Sequence, residues 1–290
     1  MITLESTTIT SCHECVATLT LPLALFLLLS ETAVGGMATV AYLKFRGGLT
    51  QGFLKFIAVT YALFGALAFL VVWAGPPASY RSLFAINQVA AGALVFFQGL
   101  LLAAFIINAV LLWRKNDSAP AGWGLTLSAS LLVLLTITAA LWPLAGSILG
   151  GAAVAVVVLL STAVLGAATT GMLLGHWYLV TPALTNRPLL RAIGILLVGL
   201  LLQALIFPLA LAGLGHAAGS PAKALGLTPV LSVLWALGSV VLPLVAAGLA
   251  FATCRLRSFM STTGLLYLAM IALLPGQLLG LLLFFVVAAA

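Results

Sequence analysis

One stretch constrains this chain more than any other: residues 19–43, LTLPLALFLLLSETAVGGMATVAYL, an apolar run with a single acidic residue, Glu31, near its middle. About 20 apolar residues cross a bilayer as a helix, at a rise of about 1.5 Å each. A carboxyl group at that depth costs about 2.5–3.5 kcal/mol on insertion scales. It is kept for a function, or it holds helices together by a hydrogen bond. Gly35 and Gly36 follow one turn later, on an adjoining face where a neighbouring helix can come close.

Similar runs recur to the end of the chain. The expected spans are 19–43, 56–74, 84–113, 124–145, 149–180, 189–214, 229–253 and 262–287. Between them lie turn-forming or basic breaks, such as Gly75 to Pro77 and Arg114 to Lys115. With 64% hydrophobic and 5% charged residues, the chain lacks the polar surface of a soluble domain. The expectation is therefore a single transmembrane domain over residues 1–290. Its fold class is an all-α integral membrane protein, a bundle of eight transmembrane helices. The first run is too long for the core of an ordinary signal peptide, and no basic residue precedes it, so it reads as a retained helix.

The net charge of +7 sits in loops, so it is an orientation signal and no mark of nucleic-acid binding. Lys44, Arg46, Lys55, Arg114, Lys115, Arg187, Arg191, Arg255 and Arg257 fall on one side of the expected topology, against Arg81 and Lys223 on the other. Basic loops stay in the cytoplasm, which puts both termini on the outer side.

Several polar residues stand out against this background. Gln98, Gln203 and Gln277 are expected near the depth of Glu31, and the four could line one cavity. There Glu31 would handle a proton or contact a ligand; otherwise the amides are packing glue. His176 lies seven residues beyond Thr169, itself seven beyond Thr162, so the three share a helix face. Trp177 and Tyr178 beside it read as an aromatic belt. His13 and His216 belong to the outer side and His176 to the inner, so no two histidines can ligate a haem inside the bundle, and none is expected.

Cys12 and Cys15 form a CxxC motif ahead of the first span; the third cysteine is Cys254. On an oxidising face the pair could be redox-active, could contribute to a metal site needing two more ligands, or could form a structural disulfide. No metal site is expected from the sequence alone. Pro208, Pro243 and Pro275 imply kinks in spans six to eight, with Pro275 to Gln277 a candidate break beside a cavity.

Residues 22–48, PLALFLLLSETAVGGMATVAYLKFRGG, resemble the first helix of the DMSO reductase membrane-anchor family, the polysulfide-reductase-type quinone-interacting anchors. Gly75 to Pro77 and the stretch AINQVAAGAL at 85–94 are similar to the segment that follows in that family, and His13 with Glu14 to its early His-Glu pair. The resemblance covers about the first 110 residues and the eight-helix topology with both termini outside. It implies a bacterial inner-membrane subunit that meets quinone or quinol. It also implies an iron–sulfur electron-transfer subunit and a molybdopterin catalytic subunit as partners. Trp73 stands where the family has a turn histidine, and Phe97 and Gln98 where it has an acid. Either quinol chemistry has then moved toward Glu31, with Trp73, Asn87, Gln98, Gln203, Gln277 and His176 as candidate quinone contacts, or the subunit has kept the anchor and lost the oxidation site.

Three functions follow as expectations. The first is an anchor subunit of a respiratory oxidoreductase. The second is a proton-coupled transporter or channel using Glu31. The third is an outward-facing thiol–quinone oxidoreductase using Cys12 and Cys15.

Overall fold

A computed structural model describes residues 2–114, 120–181, 185–214, 220–226 and 228–289; for residues 2–15 and 222 it gives the backbone alone. The side chains of Cys12, His13, Glu14 and Cys15, and all of His216, lie outside the described residues.

The described chain contains helices and no strand. Eight of its helical stretches are long and apolar enough to cross a membrane. Hydrocarbon forces this choice, because a helix satisfies its own N–H and C=O groups where no water can. The spanning helices are α1 (Ile2–Phe45, apolar from Val16), α2 (Gln51–Ala74), α3 (Gln88–Arg114), α4 (Pro120–Leu141), α5 (Ile148–Val180) and α6 (Arg187–Ala212). A short α7 (Pro221–Gly226) precedes a composite seventh span. That span is α8 (Pro229–Trp235), a π-helical segment (Ala236–Val241) and α9 (Leu242–Arg255). The last helix is α10 (Phe259–Ala289).

Local chemistry sets several ends. Thr50 accepts from the Phe53 N–H at 3.3 Å and Ser147 from the Gly150 N–H at 3.0 Å, each satisfying a first-turn donor. Helix α3 begins at Gln88, later than the expected 84, because residues 77–82 coil into a 3-10 turn and Asn87 caps the helix. The π segment ends just before Pro243, whose ring removes one helical donor; π turns often arise where that ladder is disturbed. Helix α10 runs unbroken through Pro275, so the break expected there is absent.

Basic loops gather at one end of the bundle. Arg191 donates to the Arg46 carbonyl at 3.3 Å, and Asn186 to the Cys254 carbonyl at 3.0 Å. At the other end the Gly146 N–H reaches the Gly213 carbonyl at 3.4 Å, and the Asn87 N–H reaches the Ala140 carbonyl at 3.1 Å.

Helices α1, α5 and α10 form the centre: at least half of each one's most apolar window is buried, against a third for α2 and the seventh span. Two backbone contacts draw this centre together. A Cβ on Gly166 of α5 would overlap the Gly35 backbone of α1, and one on Gly276 of α10 would overlap the Gly238 carbonyl carbon of the π segment. Small residues permit such approaches in membranes, where dispersion and hydrogen bonds drive helix association.

Candidate functional site

The α1–α5 contact at Gly35 and Gly166 sets the spacing for what lies one turn away. Glu31, four residues before Gly35, is buried to 1% exposure. Its Oε2 accepts a hydrogen bond of 2.5 Å from Ser161 Oγ on α5. Ser161 Oγ also lies 3.3 Å from Gln277 Oε1 on α10. Gln277 and Gln203 of α6 form a reciprocal amide pair: Gln203 Nε2 donates to Gln277 Oε1 at 2.8 Å, and Gln277 Nε2 to Gln203 Oε1 at 2.9 Å. Four helices thus meet in one buried polar array.

A small cavity adjoins it. Its lining combines Glu31, Ser161, Gln203 and Gln277 with apolar side chains including Leu27, Phe207 and Phe284, and contains no basic residue. The centre of a water-sized sphere can move through about 20 Å³ there. That is room for a water, which needs about 10–15 Å³ on this measure. Organic ligands occupy pockets of about 300–1,000 Å³, so a quinone ring does not fit beside Glu31 in this structure.

Gln98 does not join the array. It turns to the other side of α1, where its Oε1 accepts from Ser30 Oγ at 3.0 Å, and its Nε2 has no partner among the described residues. The expected four-residue cavity therefore holds Glu31, Gln203 and Gln277 but not Gln98. The reason is rotational: adjacent helical residues diverge by about 100°, so Ser30 and Glu31 address different neighbours.

The remaining expected contacts are scattered. Trp73 is 66% exposed near the end of α2. Asn87 is exposed, and its side chain accepts from the Val89 and Ala90 N–H groups at 3.1 and 3.2 Å, which makes it a helix cap. His176 is exposed at the basic end. Thr162 and Thr169 return their hydroxyls to the Val158 and Leu165 carbonyls at 2.7 and 2.8 Å, so neither hydroxyl is turned toward His176. Tyr178 is fully buried, with its hydroxyl donating to the Thr185 carbonyl at 2.6 Å, so it is a loop tether and not part of an interfacial belt. Trp177 packs edge-on to Phe53 and stacks on Phe56.

Two further buried groups carry little signal in the sequence. Ser161 is the sole side-chain hydrogen-bond partner of Glu31 among the described residues. Its signal in the sequence is depth: like Glu31 it lies about halfway along its helix, whereas the spacing of seven marks only its neighbour Thr162. Tyr61 of α2 is the other, its hydroxyl 2.6 Å from Thr170 Oγ1, with Thr170 also 3.4 Å from the Gly36 carbonyl. Tyr61 lies over Gly36, where a Cβ would overlap its ring.

Chemically, the array can hold one mobile positive charge. It has a carboxyl group, a hydroxyl, two amides and a water-sized space, and no basic side chain to fix the carboxyl as a permanent anion. No protein-family model matches this sequence, and no characterised protein matches it.

Proposed function

We propose that this chain is a proton-handling membrane subunit in which Glu31 takes up and releases the proton, and that it anchors a quinone-linked respiratory oxidoreductase in the bacterial cytoplasmic membrane. One observation carries the reading. The Glu31 carboxyl is enclosed by the central helices, bonded to one hydroxyl, beside space for water and without a lining cation. An ionisable group so placed is costly, and such groups mark proton relays and ion pathways.

The anchor part rests on the resemblance of residues 22–48 and 75–94, which here include α1 with its glycine contact and the turn into α3. On this reading an iron–sulfur subunit and a molybdopterin catalytic subunit dock on the bundle and do the substrate chemistry. The cavity has no room for a quinone ring, so the reading assigns Glu31 the proton alone. Purification in mild detergent tests it: iron- and molybdenum-bearing chains should accompany the bundle, and a lone, metal-free bundle ends the anchor assignment. In the intact complex Glu31→Gln should leave assembly unchanged and lower quinone-linked turnover at least tenfold.

A proton-coupled carrier is the second reading. It is favoured by the π segment, which meets α10 at Gly276 next to Gln277 and gives the seventh span an irregular, adjustable backbone beside the array. A carrier would show solute uptake in proteoliposomes that Glu31→Gln abolishes.

A further inference from the structure

We propose that the groove between α2 and α3 at the basic end of the bundle binds one anionic phospholipid, with its phosphate at Lys55 and an acyl chain along α2. The proposal is independent of the role of Glu31.

The groove follows from where the two helices can touch. Deeper in the bundle they close on glycines: a Cβ on Gly65 would lie 3.1 Å from the Phe105 ring, and one on Gly99 would lie 3.2 Å from the Phe69 ring. Toward the basic end large rings take over. Phe56 of α2 is stacked on Trp177, with ring centroids 6.2 Å apart, and Trp113 of α3 forms the other wall. The space between offers about 410 Å³ to the centre of a water-sized sphere, against about 20 Å³ beside Glu31.

Polarity along the groove runs in the order of a phospholipid. Gly52 and Lys55 open it in the first turns of α2, and Phe56, Val59 and Thr60 follow further in. Thr60 returns its hydroxyl to the Phe56 carbonyl at 3.1 Å, so the inner end is apolar. From Gly52 to Thr60 is about 12 Å at about 1.5 Å per residue, against about 15 Å for the hydrocarbon of one leaflet. Phe56, Val59 and Trp113 are exposed, as lipid-facing side chains are.

Charge selects the headgroup. Lys55 Nζ lies 5.7 Å from the centre of the Trp113 ring, a cation–π contact that places the ammonium at the mouth of the groove. Arg114 follows at the end of α3. Among the described residues no acidic side chain lines the groove. By sequence, that end carries the nine basic residues named above against one acidic residue, Asp117. A lipid with a net negative charge is drawn to such a patch, whereas the amine of a zwitterionic headgroup opposes it. A second lipid-facing groove, between α3 and α4 beside Leu100 and Ser128, offers about 230 Å³ and has no charged lining residue. It can take an acyl chain but has nothing with which to choose a headgroup.

The test uses the full chain, with its co-purifying partners, in mild nonionic detergent. Phosphatidylglycerol carrying a diazirine in one acyl chain is photolysed with the protein, and the adducts are mapped by peptide mass spectrometry. Adducts should concentrate on residues 52–60 and on Trp113. Unlabelled phosphatidylglycerol should displace the probe about fivefold more effectively than phosphatidylcholine with the same chains, the preference expected of one lysine near the membrane surface. High salt should shrink that preference. Lys55→Gln should remove it while adducts persist, and Lys55→Arg should keep it. Val59→Trp should fill the groove and abolish its adducts, leaving those of the α3–α4 groove, which should show no headgroup preference. Equal displacement by the two lipids overturns the site and leaves ordinary solvating lipid. Adducts spread evenly around the bundle overturn it too, as does a Lys55→Gln variant that keeps the preference. Adducts that appear only once co-purifying chains are stripped away would show that a protein covers the groove, and would overturn it as well.

Discussion

Ser30 and Glu31 are neighbours in the chain but bond to opposite parts of the bundle. Ser30 donates to Gln98 on α3 at 3.0 Å, while Glu31 accepts from Ser161 on α5 at 2.5 Å. This is possible because α1 is enclosed by protein over its central turns, so two side chains about 100° apart both meet partners and not lipid. The pair thus belongs to two separate polar arrays, and of these two the one with Glu31 holds the ionisable group.

The Glu31–Ser161 bond should be measurable as stability. Interhelical hydrogen bonds in membranes average about 0.6 kcal/mol and reach about 1.7 kcal/mol. Ser161→Ala should destabilise the bundle within that range, near its upper end, because the carboxyl keeps no other side-chain partner among the described residues. Reversible unfolding in mixed micelles reads the change; a value indistinguishable from zero would mean that Glu31 is solvated by water instead.

The amide pair makes a separate prediction. Gln203 and Gln277 exchange two hydrogen bonds, so either alanine variant strands the other side chain. A double-mutant cycle should give a coupling energy of about 0.6–1.7 kcal/mol. Additive effects would show that the two amides find other partners.

Glycine contacts should separate into essential and neutral positions. Gly166→Val drives a side chain into the Gly35 backbone, and overpacking of this kind costs about 1–3 kcal/mol or more. Loss of the folded, monodisperse species is the expected result. By contrast, a Cβ at Gly124 of α4 meets nothing within 4 Å. Gly124→Ala should raise stability by up to about 1 kcal/mol, since glycine is the weaker helix former. Equal tolerance at the two positions would show that α1 and α5 do not cross this closely.

Asn87 tests whether a residue picked out by resemblance works in quinone chemistry or in the fold. Its side chain caps α3, so Asn87→Ala should cost about 1 kcal/mol. Asn87→Ser, which keeps a capping oxygen, should restore most of that. Quinone-linked turnover per folded complex should stay within twofold of the parent in both variants. A turnover loss that serine fails to rescue would return Asn87 to the site.

Residues 19–287 announced eight membrane spans because the bilayer imposes a one-dimensional rule: a segment is apolar for about 20 residues or it does not cross. That rule acts on each segment separately, so it can be read without knowing which helices touch. The same locality made Glu31 legible, since one carboxyl in an apolar run is anomalous whatever surrounds it. What the runs do not encode is rotation about each helix axis. In lipid both faces of a helix are apolar, and no amphipathic stripe marks the inner one. So depth alone places Gln98 with Glu31 although it faces elsewhere, while Ser161, one position from Thr162, supplies the contact. Tertiary structure decided these partnerships through backbone approaches at Gly35–Gly166 and Gly238–Gly276. Those contacts set how the central helices turn toward one another, and with that which oxygens meet around residue 31.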